Sequence, residues 1–414
     1  MKNKTGPDTN NKFMARGVFW VCRMFLLLAV LSASGCEYEG DMISLRNKKT
    51  AASPTINIGV VWPLTSTYKS FVNGVIMASD EINLSGGILG KKLKIYLKDD
   101  ESSVTKGMVI ADEMAADPEI SAAVGFCDSY VTIPVSGIYD KAGILMITTS
   151  SVDPSYNSFK SPLLFRTTAT AVDISCKIAE LIDKLGFKNL SICYVTDNYG
   201  LSSANAFEDE LQKLSISVVD RRSYSSGNAA EFKQITDCWK LLNFDCAVFF
   251  GYPSGGPQFI ESIRREGILA PIFCGDTMNY PDFIKHVGQY SEGIIVTSLF
   301  NPLDISSAKK SKFVSEYKNR FGILPDTHSA QAYDAMKLLA EAIKRAGRAA
   351  PPDIAKALRS FKKEEGVVNN YEFDEKGEAL NEKLILKIVK DKKFIYLDST
   401  NETDLIKNIL IKRK

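Results

Sequence analysis

The stretch Ile56-Asn57-Ile58-Gly59-Val60-Val61-Trp62, followed by the amphipathic segment Val72–Leu84 and a second apolar run at Leu93–Lys98, decides the fold class. A nearly continuous apolar run of about seven residues has the length and composition of a strand buried on both faces. A helix-length segment between two such runs makes a strand–helix–strand unit, whose strands lie parallel in one sheet. The same rhythm continues. Strand candidates follow at Ile120–Phe126, Ile144–Thr148, Leu190–Thr196, Ser217–Tyr224, Cys246–Tyr252, Pro271–Cys274 and Gly293–Leu299. Helical patterns separate them at Val104–Ala116, Ile174–Leu185, Ala204–Leu214 and Phe232–Leu242. Four strands precede Arg166 and about five follow before Asn301, which suits two α/β sheets of four to six strands better than one very wide sheet. Helices are expected around Ser311–Phe321 and Ser329–Ala346, and another opens at Pro351-Pro352. Leu384–Val389 and Lys393–Leu397 read as an antiparallel ribbon decorating the second lobe.

Basic and acidic residues nearly balance, 51 against 49, so no global field draws in a polyanion and a nucleic-acid partner is not expected. The first 36 residues differ from the rest. Lys2, Lys4, Lys12, Arg16 and Arg23 make a basic region containing the single acid Asp8, and Met24–Leu31 is an apolar run too short to span a bilayer. Ser32-Ala33-Ser34-Gly35-Cys36 then offers the small residues of a signal-peptidase site. Residues 1–35 are read as a signal peptide. Cleavage near Ala33 with Cys36 incidental is the alternative to cleavage before Cys36. Glu37–Ala52 is polar and reads as an irregular tether, so 36–54 joins any anchor to the folded body.

Eight cysteines are present, but none has Cys-x-x-Cys spacing and no metal site is expected. Cys193 and Cys246 lie in apolar strands, where a free thiol acts as a small hydrophobe. Disulfide pairing cannot be read from the spacing. The two histidines, His286 and His328, come with no nucleophile elbow and no phosphate loop, so neither catalysis nor a cofactor is expected.

Several strings together resemble one family, in order and over nearly the whole chain from Ile56 to Leu397. These are Ile56–Thr65, Ala78–Asn83, Gly86–Gly90, Leu93–Asp100, Ile138–Thr148, Leu164–Thr168 and Thr196–Gly200. They look like the type I periplasmic solute-binding proteins, and especially the leucine/isoleucine/valine-binding branch of ABC-transporter receptors. Gly35-Cys36 behind an apolar run likewise resembles a bacterial lipobox, in which the Cys36 thiol carries lipid. The resemblance implies the type I periplasmic-binding-protein fold, with two doubly wound Rossmann-like lobes joined by three hinge crossings. Residues 55–168 plus 301–365 would form lobe one and 171–297 plus 369–400 lobe two, with 401–414 a C-terminal tail. Crossings would fall near Thr168–Ala171, Ser298–Asn301 and Lys363–Asn369. The implied partners are a small amino-acid-like ligand, an ABC permease in the cytoplasmic membrane, and the membrane itself through the lipid. The same fold also serves non-transport sensory or regulatory lipoproteins, which is the alternative function.

The resemblance also implies site residues. Ser129, opening a helix after Gly125, matches the position whose hydroxyl and amide hold a carboxylate, and it also reads as a plain helix cap. Ser150 would offer its carbonyl and Ser151 its hydroxyl. Asp276 matches the ammonium-binding acid, or else caps a turn. Tyr199 and Tyr252 match cleft aromatics, with packing as the plainer role, and Trp62 and Tyr68 would wall the pocket from lobe one. His328 falls near an aromatic pocket position. Val152 stands where the family carries a hydroxyl-bearing Thr, which either moves that contact to Ser151 or implies a ligand other than a standard α-amino acid.

Overall fold

The computed structural model describes residues 42–158, 160–228, 230–380, 383–397 and 402–411. The expected signal peptide and Cys36 lie outside the described residues. The apolar run that opens the folded body is strand β1 (Thr55–Val61), with six of its seven residues buried. It sits inside a five-stranded sheet of order β2-β1-β3-β4-β5, formed with β2 (Lys92–Lys98), β3 (Ile120–Gly125), β4 (Leu145–Thr148) and β5 (Leu164–Arg166). Every pairing in it is parallel. The second sheet has seven strands in the order β14-β13-β10-β9-β8-β6-β7. Its strands are β6 (Asn189–Val195), β7 (Ser217–Tyr224), β8 (Cys246–Phe250), β9 (Ile272–Cys274), β10 (Ile294–Ser298), β13 (Ile385–Lys390) and β14 (Lys393–Leu397). The C-terminal hairpin β13–β14 is an integral part of this sheet, because β13 pairs antiparallel with β10 and extends the ladder. This is the two-lobed, doubly wound α/β fold expected from the strand rhythm.

Helices cover both sheets. In the first lobe, α2 (Ser70–Leu84) crosses α11 (Thr327–Ala346) closely: a Cβ on Gly74 would lie 2.1 Å from the Ser329 carbonyl oxygen. Only glycine permits that approach, and the contact fastens a helix from late in the chain onto the first sheet. Helix α10 (Ala308–Phe321) joins the same layer, with Phe313 4.7 Å from Tyr333 between ring centroids.

The chain passes between the lobes three times, and the third passage differs from expectation. Strands β11 (Glu364–Glu365) and β12 (Asn370–Tyr371) form a small ribbon on the first lobe, where the buried Asp334 carboxylate accepts the Val367 and Val368 amides at 2.7 and 2.8 Å. Residues 372–380 then run beside β5: the Ala379 amide donates to the Arg166 carbonyl at 3.0 Å, and Phe373 packs edge-on against Phe165. The crossing therefore lies between Leu380 and Ile385, not at 363–369. Residues 369–380 belong with the first sheet because their backbone and ring partners are there.

Both chain ends are more ordered than their composition suggests. Residues 42–52, expected as part of an irregular tether, form helix α1. Its anchor is Arg46, fully buried and donating to the carbonyls of Ala142 (2.8 Å), Asp117 (2.7 Å), Ile120 (2.9 Å) and Ala115 (2.5 Å). Ala115 and Asp117 end α3 (Val104–Ala116), and Ala142 ends α4 (Ser129–Ala142). One guanidinium thus caps the unsatisfied carbonyls of two helices at their negative ends. Burial lowers the Arg46 pKa to about 10, and the group stays charged at neutral pH. At the other end, residues expected as a tail include α13 (Glu402–Ile411), tied to α5 (Ala171–Leu185) by a Lys184–Glu402 ion pair of 2.8 Å.

Replacing Arg46 with Met leaves these carbonyls buried without donors. Hydrogen bonds from a charged group contribute about 1.5–3 kcal/mol each, and partial relaxation reduces their sum, so a loss of about 3 kcal/mol is expected. Urea unfolding of the Arg46→Met protein should show it, with the midpoint falling and the slope unchanged.

Candidate ligand-binding site

Parallel strands place their carboxyl ends on one edge of each sheet, and open α/β sheets bind ligands there. In this protein the two edges face each other. The loop after β1 carries Trp62 and Tyr68; β3 leads through Cys127 and Asp128 to Ser129 at the start of α4; β4 leads to Ser150 and Ser151. Across the gap, α6 (Asn198–Lys213) follows β6 and brings Tyr199, β8 leads to Tyr252, and β9 leads to Asp276. The lobes touch, with the Tyr68 hydroxyl donating to the Thr277 carbonyl at 2.6 Å and the Asn279 amide to the Thr327 hydroxyl at 2.9 Å.

Between them is a cavity of about 20 Å³, room for little more than one water. The first lobe contributes Tyr68, Cys127, Asp128, Ser129, Ser150 and His328 to its wall; the second contributes Tyr199, Tyr252, Asp276 and Thr277. Six of the eight residues singled out from the sequence are thus brought together. The other two are not. Trp62 is completely buried behind the wall, stacked on Phe71 at 3.8 Å, with its indole N–H donating to the Tyr68 carbonyl at 3.0 Å. It supports Tyr68 and does not face the cavity, because its flat ring fills the core under the loop. Ser151 is also fully buried, and its hydroxyl donates to Ser129 Oγ at 3.1 Å. Val152 packs in the core, and its carbonyl accepts the Ala171 amide at 2.9 Å at the first crossing.

A single arginine holds the 151–153 loop. Arg166, fully buried, donates from one terminal nitrogen to the Ser151 carbonyl (2.7 Å) and from the other to the Asp153 carbonyl (3.0 Å). Its Nε and the second terminal nitrogen form a fork with Glu378, at 2.7 and 3.0 Å.

The wall is acidic and rich in hydroxyls. Tyr199 donates to Asp276 Oδ1 at 3.2 Å and lies 3.0 Å from the Thr277 hydroxyl. Burial pushes the Asp276 carboxyl up to about 6, and the Tyr199 hydrogen bond pulls against that shift. Asp128 precedes α4 without capping it and is 8% exposed. Burial raises its pKa to about 6, opposed by hydrogen bonds from Ser102 and Tyr130 and reinforced by Asp197. Burial pushes the His328 imidazole down, so it is neutral; its ring lies 4.5 Å from that of Tyr68. Asp128, Thr277 and Cys127 also line the wall and were not singled out from the sequence, although Asp128 adjoins Ser129, Thr277 adjoins Asp276 and Cys127 precedes Asp128.

The match to known proteins fits this geometry. The model of a family described as "Periplasmic binding protein" matches residues 55–393. The chain belongs to that family. Its members are substrate-binding proteins of the extracytoplasmic space. This binding protein is 32% identical to the ABC transporter substrate-binding protein of Desulfitobacterium hafniense solved in complex with Leu, over 83% of this chain and 100% of that one, with a TM-score of 0.75. It is 27% identical to a Leu/Ile/Val-binding protein of Rhizobium johnstonii, covering 81% of this chain and 92% of that protein. A leucine-binding protein of Thermotoga maritima shares the fold, with a TM-score of 0.79 at 23% identity. Among the described residues no helix is long and apolar enough to cross a membrane, and no cluster of three or more metal-ligating side chains occurs.

Because folding raises the Asp128 pKa from 3.8 to about 6, the folded state holds that proton more tightly than the unfolded chain. Its contribution to stability therefore falls as pH rises from about 4 to 6 and stays unfavourable above that. Asp128→Asn removes the buried charge. The expected result is a melting temperature at least about 2 °C higher than wild type at pH 8 and no difference at pH 4, read by differential scanning calorimetry.

Proposed function

We propose that this binding protein captures an amino acid or similar small polar solute between its lobes and delivers it to an ABC permease in the cytoplasmic membrane. The observation that carries the proposal is the pairing, across one closed cavity, of Ser129 at the N-terminus of α4 with Asp276 from the opposite lobe. A helix start with free amides and a hydroxyl is a carboxylate site. A buried carboxylate facing it, steadied by Tyr199, is an ammonium site. Ser150 and Tyr68 complete the first-lobe wall, Tyr252 lies over Tyr199 at 5.4 Å, and Ser151 acts through Ser129. A ligand that touches both lobes stabilises the closed form by its preference for that form over the open one. The complex with Leu in the Desulfitobacterium hafniense relative supports an amino acid as the cargo.

Calorimetry of the native protein against the twenty common L-amino acids should find a saturable ligand. Ser129→Ala and Asp276→Asn should each weaken it about 30-fold or more, since truncating one partner of a buried charged pair costs roughly 2–5 kcal/mol. Unchanged affinity in both variants would remove these residues from the site.

The lipid anchor belongs to the same proposal: Cys36 carries the lipid and holds the body at the membrane. In cells fed a radiolabelled fatty acid, wild-type protein should take up label and sediment with membranes, whereas Cys36→Ser should do neither. Equal labelling of the two would place the attachment elsewhere.

A further inference from the structure

The cavity between Ser129 and Asp276, with room for little more than one water, is too small for an amino-acid side chain, and a second hollow lies beside it. That hollow, about 600 Å³, shares Tyr68, Asp128 and Tyr252 with the cavity and adds Tyr130 and Asp197. Its chemistry is one-sided. Asp128 comes from the first lobe and Asp197 from the second; Asp197 is among the causes that raise the Asp128 pKa, and burial raises that of Asp197. Behind this wall lies a third carboxyl, the fully buried Asp100, which accepts the Ser102 amide at 3.1 Å and is pushed up to about 7 chiefly by burial. Among the described residues no lysine or arginine lines either hollow; the bases there are the buried His328 and the exposed His286.

Two further observations point to a ligand. Asp128 is more than nine-tenths buried, yet its Oδ2 has no hydrogen-bond partner, and the Tyr252 hydroxyl, also buried, has only the Asp197 carboxylate beside it. Leaving such atoms unmatched costs about 1–3 kcal/mol each, more for a charged group. Beside them the rings of Tyr130 and Tyr252 meet edge to face with centroids 6.4 Å apart, one from each lobe. Aromatic faces next to carboxylates favour a cation. A branched aliphatic side chain would leave all of these atoms unmatched, and among the described residues no Leu, Ile or Val lines the cavity.

We infer that the ligand is a cationic amino acid whose side-chain ammonium or guanidinium lies between Asp128 and Asp197, bounded by Tyr130 and Tyr252. The inference rests on the amino-acid reading above and names its substrate class. The α-carboxylate stays at Ser129 and the α-ammonium at Asp276, while the side chain runs outward into the larger hollow. The second positive charge thus bridges the lobes at the mouth of the cleft.

Isothermal calorimetry at pH 7.5 with L-lysine, L-arginine, L-leucine and L-norleucine tests this, because norleucine matches the lysine chain without its charge. Lysine or arginine should bind at least tenfold tighter than norleucine and leucine. In Asp128→Asn, and independently in Asp197→Asn, that preference should shrink to less than threefold. Leucine or norleucine binding as tightly as the cationic pair, or a preference that survives both substitutions, overturns the inference and leaves the amino-acid reading standing. Binding of none of the four, nor of any other amino acid, removes both.

Discussion

Arg166 is the constraint on which the cleft depends. Its guanidinium reaches three separate pieces of chain at once: its own strand β5, the loop after β4, and Glu378 on the segment that returns from the C-terminal third. Two of its bonds fix the carbonyls of Ser151 and Asp153, and Ser151 in turn donates to Ser129. The hydroxyl that faces the cavity is therefore oriented through a chain of buried polar contacts that starts at a charge. A buried arginine is tolerable when its donors are matched, and a forked carboxylate with two carbonyls takes four of its five N–H groups. The same residue sets the place of the third crossing, because Glu378 and its neighbours must stay beside β5.

The site itself is organised differently from the core. Around it the apolar interior is continuous, whereas the cavity wall gathers carboxyls and hydroxyls with raised pKa values and a few polar atoms lacking partners. Such groups lower stability in the free protein, and a bound solute can offset that loss through contacts made only when the lobes are together. Tyr199 shows the division of labour: its ring packs in the core while its hydroxyl holds Asp276 and meets Thr277.

Much of this was legible in the sequence, for physical reasons that can be named. Parallel strands buried on both faces leave long apolar runs, so β1, β3, β6 and β8 stand out directly. Strand β5 has three residues and leaves no periodic signal. Helix α1 was hidden because its composition is polar and one long side chain, Arg46, makes the contacts that hold it. The wall residues followed from the family resemblance, which placed them at strand ends, but sequence spacing does not tell facing from backing. Trp62 and Ser151 lie one layer behind the surface that Tyr68 and Ser129 present. The third crossing was misplaced because the ribbon at 364–371 looks like a linker until Asp334 is seen gripping its amides.

Helix α1 also sets a leash. If Cys36 carries the lipid as proposed, only six residue steps separate the anchor from residue 42, the first described residue of α1, a reach of at most about 20 Å. Because Arg46 rivets α1 to the ends of α3 and α4, that length cannot be extended by unravelling the helix without breaking those bonds. The lower end of the first lobe would be kept near the bilayer surface, so the search for a permease becomes a two-dimensional one with a restricted range of tilts.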